Sequence, residues 1–203
     1  MKKLFPFLSL LSIISIIFSG CASYNAAPLN TISSEMIQTS HVGDETVLIS
    51  AKVFNKADCK KYLDRDVLNK GYQPVQLYIQ NNSDNNYLFS LNRISLSCSR
   101  PEEVAEKVHT STVGRAVGYG AAAWFTFGIL AVPAVVDGVK SAQANEALDN
   151  DFSAKTARDQ TILPHSHFNK LIFVPVNEYQ QTFTVTLIDQ ESNKPKKFNV
   201  IAN

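Results

Sequence analysis

Few side chains in this 203-residue sequence could do chemistry, and most of them stand alone. The exception is His165-Ser166-His167, because two imidazoles two residues apart on an extended segment point to the same side and can bind a transition metal if a third ligand lies near. A polar turn after Pro164 explains the same residues without a ligand and is the favoured interpretation. We therefore predict no metal site.

The sequence also lacks the motifs that accompany common catalytic chemistry. It contains no Gly-x-Ser-x-Gly turn, no His-Glu-x-x-His, no Gly-rich phosphate loop after a strand and no paired-cysteine zinc motif. It has 19 basic and 18 acidic residues, a formal net charge of +1 that gives no strong attraction to nucleic acid. We predict that the protein is not an enzyme and that it needs no cofactor.

Residues 1–20 have the organisation of a signal peptide. Lys2 and Lys3 supply positive charge, and the run from Leu4 to Phe18 contains no charged residue. A helix of about 15 residues spans roughly 22 Å, which is short of the ~30 Å of a hydrocarbon core. The pattern predicts a removable signal rather than a transmembrane helix. Its removal leaves about 180 residues, enough for one domain with an insertion.

The apolar run ends in Phe18-Ser19-Gly20-Cys21, which resembles the lipobox of bacterial lipoproteins. In that family, small residues precede a Cys that is acylated before cleavage and becomes the first residue of the mature protein. The resemblance implies that Cys21 carries the lipid anchor. Asp at the next position typically marks retention in the inner membrane, so Ala22 implies export to the outer membrane. The alternative is an ordinary secretory signal that ends beside a Cys.

Two further cysteines, Cys59 and Cys98, would lie in an oxidising compartment if the protein is exported. A single disulfide between them is the predicted pairing, and it would contribute roughly 3 to 4 kcal/mol in the loop-entropy model. The alternative is two reduced, buried thiols.

The rest of the chain predicts a mainly β fold. Residues 21–43 are rich in Ser, Asn, Thr and Ala and are predicted to form a flexible tether. Alternating apolar residues then predict strands in the segments 44–98 and 158–203, which would be the two halves of one immunoglobulin-like antiparallel β-sandwich. The individual strands are predicted at residues 47–54, 74–80, 87–91, 94–98, 170–176, 181–188 and 197–202. Residues 81–86, rich in Asn, predict a hairpin turn between the second and third of these.

Residues 99–157 are predicted to be an inserted, Gly/Ala-rich helical hairpin. Ser99-Arg100-Pro101-Glu102 predicts a capping box at the start of its first helix, and a second amphipathic helix is predicted to end near Thr156. Residues 117–136 carry no charge and are long enough to span a membrane as one helix. Membrane insertion, packing against the sandwich or a second copy, and a stretch without a partner remain open.

Particular residues of the insertion suit membrane contact or helix packing. Small residues recur every four positions and allow a close helix–helix approach. A glycine later in the run favours a break, and the tryptophan lies mid-way along the run, which favours packing over a straight span. The candidate packing residues are Gly114, Gly118, Ala122, Trp124 and Gly128.

These features together predict a lipid-anchored cell-envelope protein with a non-catalytic structural or interaction role. Its domain would face the periplasm or the cell surface. Its partners would be membrane lipid through Cys21 and an envelope protein or a second copy of the chain. Two alternatives remain: a subunit of a secretion or pore assembly that uses the insertion as a membrane element, and a small module that binds or hydrolyses envelope polymers.

Overall fold

The structure is a computed structural model that describes residues 23–32, 42–43, 46–110 and 131–203. The chain divides into two compact units. One unit comprises residues 25–109 and 147–203 and contains every strand that the structure describes. The described residues of the other unit are 23–24, 110 and 131–146.

The strands of the larger unit form two antiparallel sheets, so the described part of the chain is mainly β. Sheet 1 has the strand order β1-β2-β3-β6, with β1 at Val42–Gly43, β2 at Val47–Val53, β3 at Tyr72–Asn81 and β6 at His167–Pro175. Sheet 2 has the order β5-β4-β7-β8, with β4 at Tyr87–Phe89, β5 at Gln160–Ile162, β7 at Thr182–Asp189 and β8 at Pro195–Ile201.

One apolar core contains side chains from both sheets. Its members follow the alternation of the strands, because every second residue of a strand points to the same face. Ile49, Leu77 and Ile172 of sheet 1 belong to this core together with Val185 of sheet 2. The rings of Phe89 in β4 and Phe168 in β6 lie 4.5 Å apart, which joins the two sheets directly. Burial of these apolar side chains stabilises the β framework.

Three α-helices occur among the described residues: α1 at Lys56–Leu63, α2 at Pro101–Val108 and α3 at Ala131–Lys155. In the larger unit they pack on the face of sheet 1 that points away from the shared core. Phe173 of β6 points to this face and stacks on Phe152 of α3, with ring centroids 5.5 Å apart. Tyr72 of β3 donates a 2.6 Å hydrogen bond from its hydroxyl to Glu103 of α2. Sheet 1 is therefore buried on both faces.

Helix α1 was not predicted from the sequence. A capping box fixes its start: Asn55 accepts a hydrogen bond from the backbone N–H of Asp58, and the Asp58 carboxylate accepts one from the N–H of Asn55. Its eight residues include three lysines and only a few apolar positions, so they give little helical periodicity. Two short 3₁₀ turns, Leu68–Lys70 and Leu91–Arg93, complete the described elements.

The strand predicted at residues 94–98 is wrong. The segment crosses from one sheet to the other, and each of its ends makes a single bridge. Ile94 bridges Val185 of sheet 2, and Ser99 bridges Phe173 of sheet 1. Alternation of apolar residues appears here because Ile94 and Leu96 are buried, although no strand pairs along the segment.

The hairpin predicted between residues 74–80 and 87–91 is also wrong. Strand β3 pairs with β2 and β6, whereas β4 pairs with β5 and β7, so the turn leads from one sheet to the other. Asn81, only 1% exposed, organises this crossing. Its side-chain amide donates to the carbonyl oxygens of Asn85 and Leu163, and its oxygen accepts from Ser83. Satisfying a buried amide this completely fixes the direction of the chain.

The predicted insertion leaves and rejoins the β framework at one strand. The N–H of Ser99 donates to the carbonyl of Phe173, and the N–H of Ala157 donates to the carbonyl of Leu171. Helix α2 begins at Pro101, and its N-cap, Arg100, makes no side-chain capping bond, so the predicted capping box is wrong. Helix α3 ends at Lys155, one residue from the predicted end.

Candidate functional site at the N-terminal segment

Six residues that the sequence singled out lie outside the described residues: Cys21, Gly114, Gly118, Ala122, Trp124 and Gly128. Within the described ranges, no helix combines the length and apolarity that crossing a membrane requires. The site that the structure does define begins four residues after Cys21.

Residues 25–32, which we call the N-terminal segment, are bound along the larger unit. The N–H of Ala27 donates a 2.8 Å hydrogen bond to the carbonyl of Lys61, in the last turn of α1. The N–H of Asn25 donates a 3.0 Å bond to the Asp64 carboxylate, immediately after that helix. At the other end of the segment, Ile32 is only 5% exposed. The segment is thus held at both of its ends.

Lys155, the last residue of α3, is the central contact of the segment. Its side chain is 8% exposed. Its ammonium group donates to the carbonyl of Ala27 at 2.8 Å, to the carbonyl of Tyr62 at 2.6 Å and to the Asp151 carboxylate at 2.6 Å. An ammonium group has three donors, and all three are used. Lys155 therefore joins the N-terminal segment, α1 and α3 at one point.

Two amide side chains of sheet 1 hold the middle of the segment. Gln76, which is 3% exposed, donates from its side-chain nitrogen to the carbonyl of Asn30 and to the Asn169 side-chain oxygen, both at 2.7 Å. Asn169 in turn donates to the same Asn30 carbonyl at 3.3 Å. A buried amide side chain in a sheet needs a hydrogen-bond partner. Here the backbone carbonyl of the N-terminal segment is that partner.

The flexible tether predicted over residues 21–43 differs from the structure in two places. The N-terminal segment is hydrogen-bonded to the larger unit, and β1 pairs with β2 as the first strand of sheet 1. The composition suggests a tether because residues 21–43 are rich in Ser, Asn, Thr and Ala. The contacts of the N-terminal segment are made mostly by backbone atoms, which composition does not reveal.

The end of α1 that binds the segment is rich in charge. Asp64 adopts a left-handed conformation with φ of 49° and accepts hydrogen bonds from Lys60 and from the N–H of Asn25. Burial acts to raise the pKa of Asp64, but these hydrogen bonds and the charges of Lys60 and Arg65 outweigh it, so the pKa is lowered. The carboxylate therefore stays ionised and available to the segment at neutral pH.

A small cleft of about 260 Å³ lies between α2 and the C-terminal part of α3. Its lining includes Glu102, Glu106, His109, Asp149 and Ser153. The Nε2 atom of His109 lies 2.7 Å from the Asp149 carboxylate, a contact that ties the end of α2 to α3. The volume is below the range of typical ligand pockets, about 300 to 1,000 Å³. Within the described residues, no group of three His, Cys, Asp or Glu is placed to hold a metal ion.

The two histidines of His165-Ser166-His167 have separate partners. His165 has a positive φ of 50° and places its Nε2 atom 3.0 Å from the Asp84 carboxylate. His167 begins β6 and stacks on Tyr78, with ring centroids 5.8 Å apart. These contacts describe a turn leading into a strand.

The disulfide predicted between Cys59 and Cys98 is absent from the structure, in which both thiols are free. Cys98 packs against the core shared by the two sheets, whereas Cys59 is buried on α1 outside that core. The two thiols thus belong to different apolar surroundings. Burial raises the pKa of Cys59 to about 11, and the charges of Asp66 and Asp58 add to the rise. Burial likewise raises the pKa of Cys98 to about 11.

These thiols should react slowly with alkylating reagents. At pH 8 a group with a pKa of about 11 is ionised to about one part in a thousand, and the thiolate is the nucleophile. Iodoacetamide should leave Cys59 and Cys98 of a folded Cys21→Ser variant unmodified, while the same protein in urea should react at both. Rapid alkylation of the folded protein, or a mass two hydrogens lower, would contradict the free, buried thiols.

Comparisons of the sequence with protein-family models and curated proteins, and of the fold with solved structures, found no match.

Proposed function

We propose that this chain is a bacterial envelope lipoprotein, held in the outer membrane by acylated Cys21 and serving a non-catalytic structural or interaction role. The position of Cys21 carries the proposal. It ends the signal-like apolar run in Phe18-Ser19-Gly20-Cys21, and it stands four residues before Asn25, whose backbone bonds to Asp64. The mature protein would thus begin with its lipidated residue, and its folded domain would begin four residues later.

We also propose that the two sheets form an immunoglobulin-like sandwich. In such domains strands A, B and E lie in one sheet, and C, F and G lie in the other, with C′ beside C in some of them. In sheet 1, the neighbours β2-β3-β6 correspond to A-B-E, with β1 as an additional edge strand beside A. In sheet 2, β5-β4-β7-β8 corresponds to C′-C-F-G. On this assignment, the insertion would lie between C and C′. Sandwiches of this kind commonly present loops and sheet faces to other proteins, which supports an interaction role.

The partner we propose is another envelope protein or a second copy of the chain. The uncharged residues 117–136 of the insertion support this, because a soluble domain rarely leaves so apolar a stretch uncovered. The near-balanced charge of the sequence is consistent with recognition by shape and apolar contact rather than by a strong electric field.

Metabolic labelling with an alkyne analogue of palmitate tests the anchor. The full chain, expressed in a bacterium with two membranes, should be labelled and recovered with the outer membrane. Cys21→Ser should lose the label, because the acylated sulfur is gone, and the protein should no longer be held by lipid. Cys59→Ala and Cys98→Ser are matched controls that should keep the label.

Two results would contradict the proposal: no label on the native chain, or a label that survives Cys21→Ser. Retention of the unlabelled Cys21→Ser protein in membranes after carbonate washing would instead favour the insertion as a membrane element. Deleting residues 117–136 should then release it.

A further inference from the structure

The first residues of the N-terminal segment, a few positions after Cys21 in the sequence, are bound at the end of helix α1. Asn25 and Ala27, four and six residues after Cys21, bond to Asp64 and Lys61 at the end of α1. An extended chain covers at most about 3.5 Å per residue, so the four residues from Cys21 to Asn25 can span no more than about 14 Å. Whatever membrane holds a lipid on Cys21 must therefore lie near this end of the larger unit.

The same end carries an excess of positive charge. Residues 52–70 contain six basic and three acidic residues, although the whole sequence is close to neutral. Of the acidic three, Asp58 and Asp64 are partly buried and paired with Lys52 and Lys60. The exposed basic residues of this stretch are Lys56, Lys60, Lys61 and Lys70.

The individual lysines are placed to reach beyond the domain surface. The side chain of Lys60 is 77% exposed despite its contact with Asp64. Lys61 lies over the Tyr62 ring, with its ammonium group 4.8 Å from the ring centroid, and its carbonyl binds the N-terminal segment. Lys56 is exposed in the first turn of the helix. The exposed side of α1 therefore presents three ammonium groups, and the end of the same helix binds the N-terminal segment.

We propose that the lysine surface of α1, made of Lys56, Lys60 and Lys61, lies against the membrane and contacts anionic phospholipid headgroups. The inference rests on the proposed acylation of Cys21, because the lipid brings the surface to the membrane. Basic residues near an anionic bilayer are attracted within a Debye length of its surface. Since several acyl chains already hold the protein, the lysines act on its orientation: they turn the α1 end towards the lipid and the far end of the sandwich away from it.

Vesicle binding by the non-acylated protein tests the inference. A Cys21→Ser protein beginning at that residue should sediment with vesicles of phosphatidylcholine containing 30% phosphatidylglycerol, and not with vesicles of phosphatidylcholine alone. Lys56→Gln with Lys61→Gln should weaken binding by about 25-fold, at about fivefold for each lysine near an anionic surface. The binding should fall steeply between low and high salt.

The matched control removes two lysines from the other end of the domain. Lys196 reaches Thr46, just before β2, whereas α1 follows the opposite end of that strand. Its neighbours Lys194 and Lys197 are exposed. Lys194→Gln with Lys197→Gln changes the net charge by the same amount and should leave vesicle binding within about twofold of the parent protein. Thermal unfolding of both double variants checks that each is folded.

The two proposals fail in different ways. Equal loss of binding in both double variants, or no preference for anionic vesicles in the parent protein, overturns the lysine surface while leaving the labelling of Cys21 unaffected. Absence of label on Cys21 overturns the anchor, whatever the vesicles show.

Discussion

A Phe152→Ala variant should unfold with a free energy lower than that of the parent protein by about 4 kcal/mol, the largest loss we expect from one side chain outside the shared core. Phe152 is fully buried and stacks on Phe173, which is also fully buried. Alanine removes the ring and leaves a cavity that sheet 1 and α3 can close only in part. The transfer and cavity contributions therefore add.

Urea unfolding followed by circular dichroism measures this loss. For a domain of this size, about 4 kcal/mol corresponds to a fall in Tm of roughly 10 °C. Val139→Ala, at a position of the same helix that is 54% exposed, is the matched control and should stay within about 0.5 kcal/mol. An equal effect of the two variants would mean that α3 is not packed on sheet 1 through Phe152.

Lys155→Met should destabilise the protein by about 3 kcal/mol and release the N-terminal segment. Methionine has nearly the same length, so the change removes charge and donors while leaving no large cavity. The carbonyls of Ala27 and Tyr62 and the carboxylate of Asp151 then lose their common donor. Unpairing buried acceptors and a partly buried carboxylate costs more than the net value of the bonds themselves.

Hydrogen exchange at the Ala27 amide separates the release of the segment from the loss of global stability. That N–H reports the contact between the segment and Lys61. It should exchange much faster in Lys155→Met, while amides in the centre of β3 should change only as far as global stability falls. The exposed Lys194→Met is the control and should alter neither quantity. Unchanged protection at Ala27 would show that backbone contacts alone hold the segment.

The sequence predicted best those elements whose side chains alternate over many residues. Strands β2, β3, β6, β7 and β8 were all predicted, because each places every second residue in the shared core. The short strand β5 was missed, since three residues give no measurable period. Strand pairing was harder to predict, because the turn after β3 has the composition of a hairpin. In the structure this turn leads into the other sheet, where the buried Asn81 side chain donates hydrogen bonds to Asn85 and to Leu163.

The candidate site was the part least visible in the sequence. The residues before Cys21 predict that it is lipidated. The residues that hold the segment after it are single polar side chains on separate elements, which form no sequence pattern. Lys155 looks like any lysine near a helix C-terminus, where positive charge is favourable. Gln76 is one polar position in an otherwise apolar strand. Both side chains bind backbone carbonyls of the N-terminal segment, those of Ala27 and Asn30. A pattern of side chains in the sequence carries no information about such backbone contacts.

The return of the insertion to β6 has a consequence for solubility. Strand β6 is the last strand of sheet 1, and an open last strand offers unpaired N–H and C=O groups to any other chain. Here the N–H groups of Ser99 and Ala157 already occupy the carbonyls of Phe173 and Leu171. The two ends of the insertion therefore cover part of the open edge of β6, which leaves fewer groups free to pair with a strand of another chain. Deleting the segment from Ser99 to Ala157, which carries both N–H groups, should expose this edge and increase aggregation.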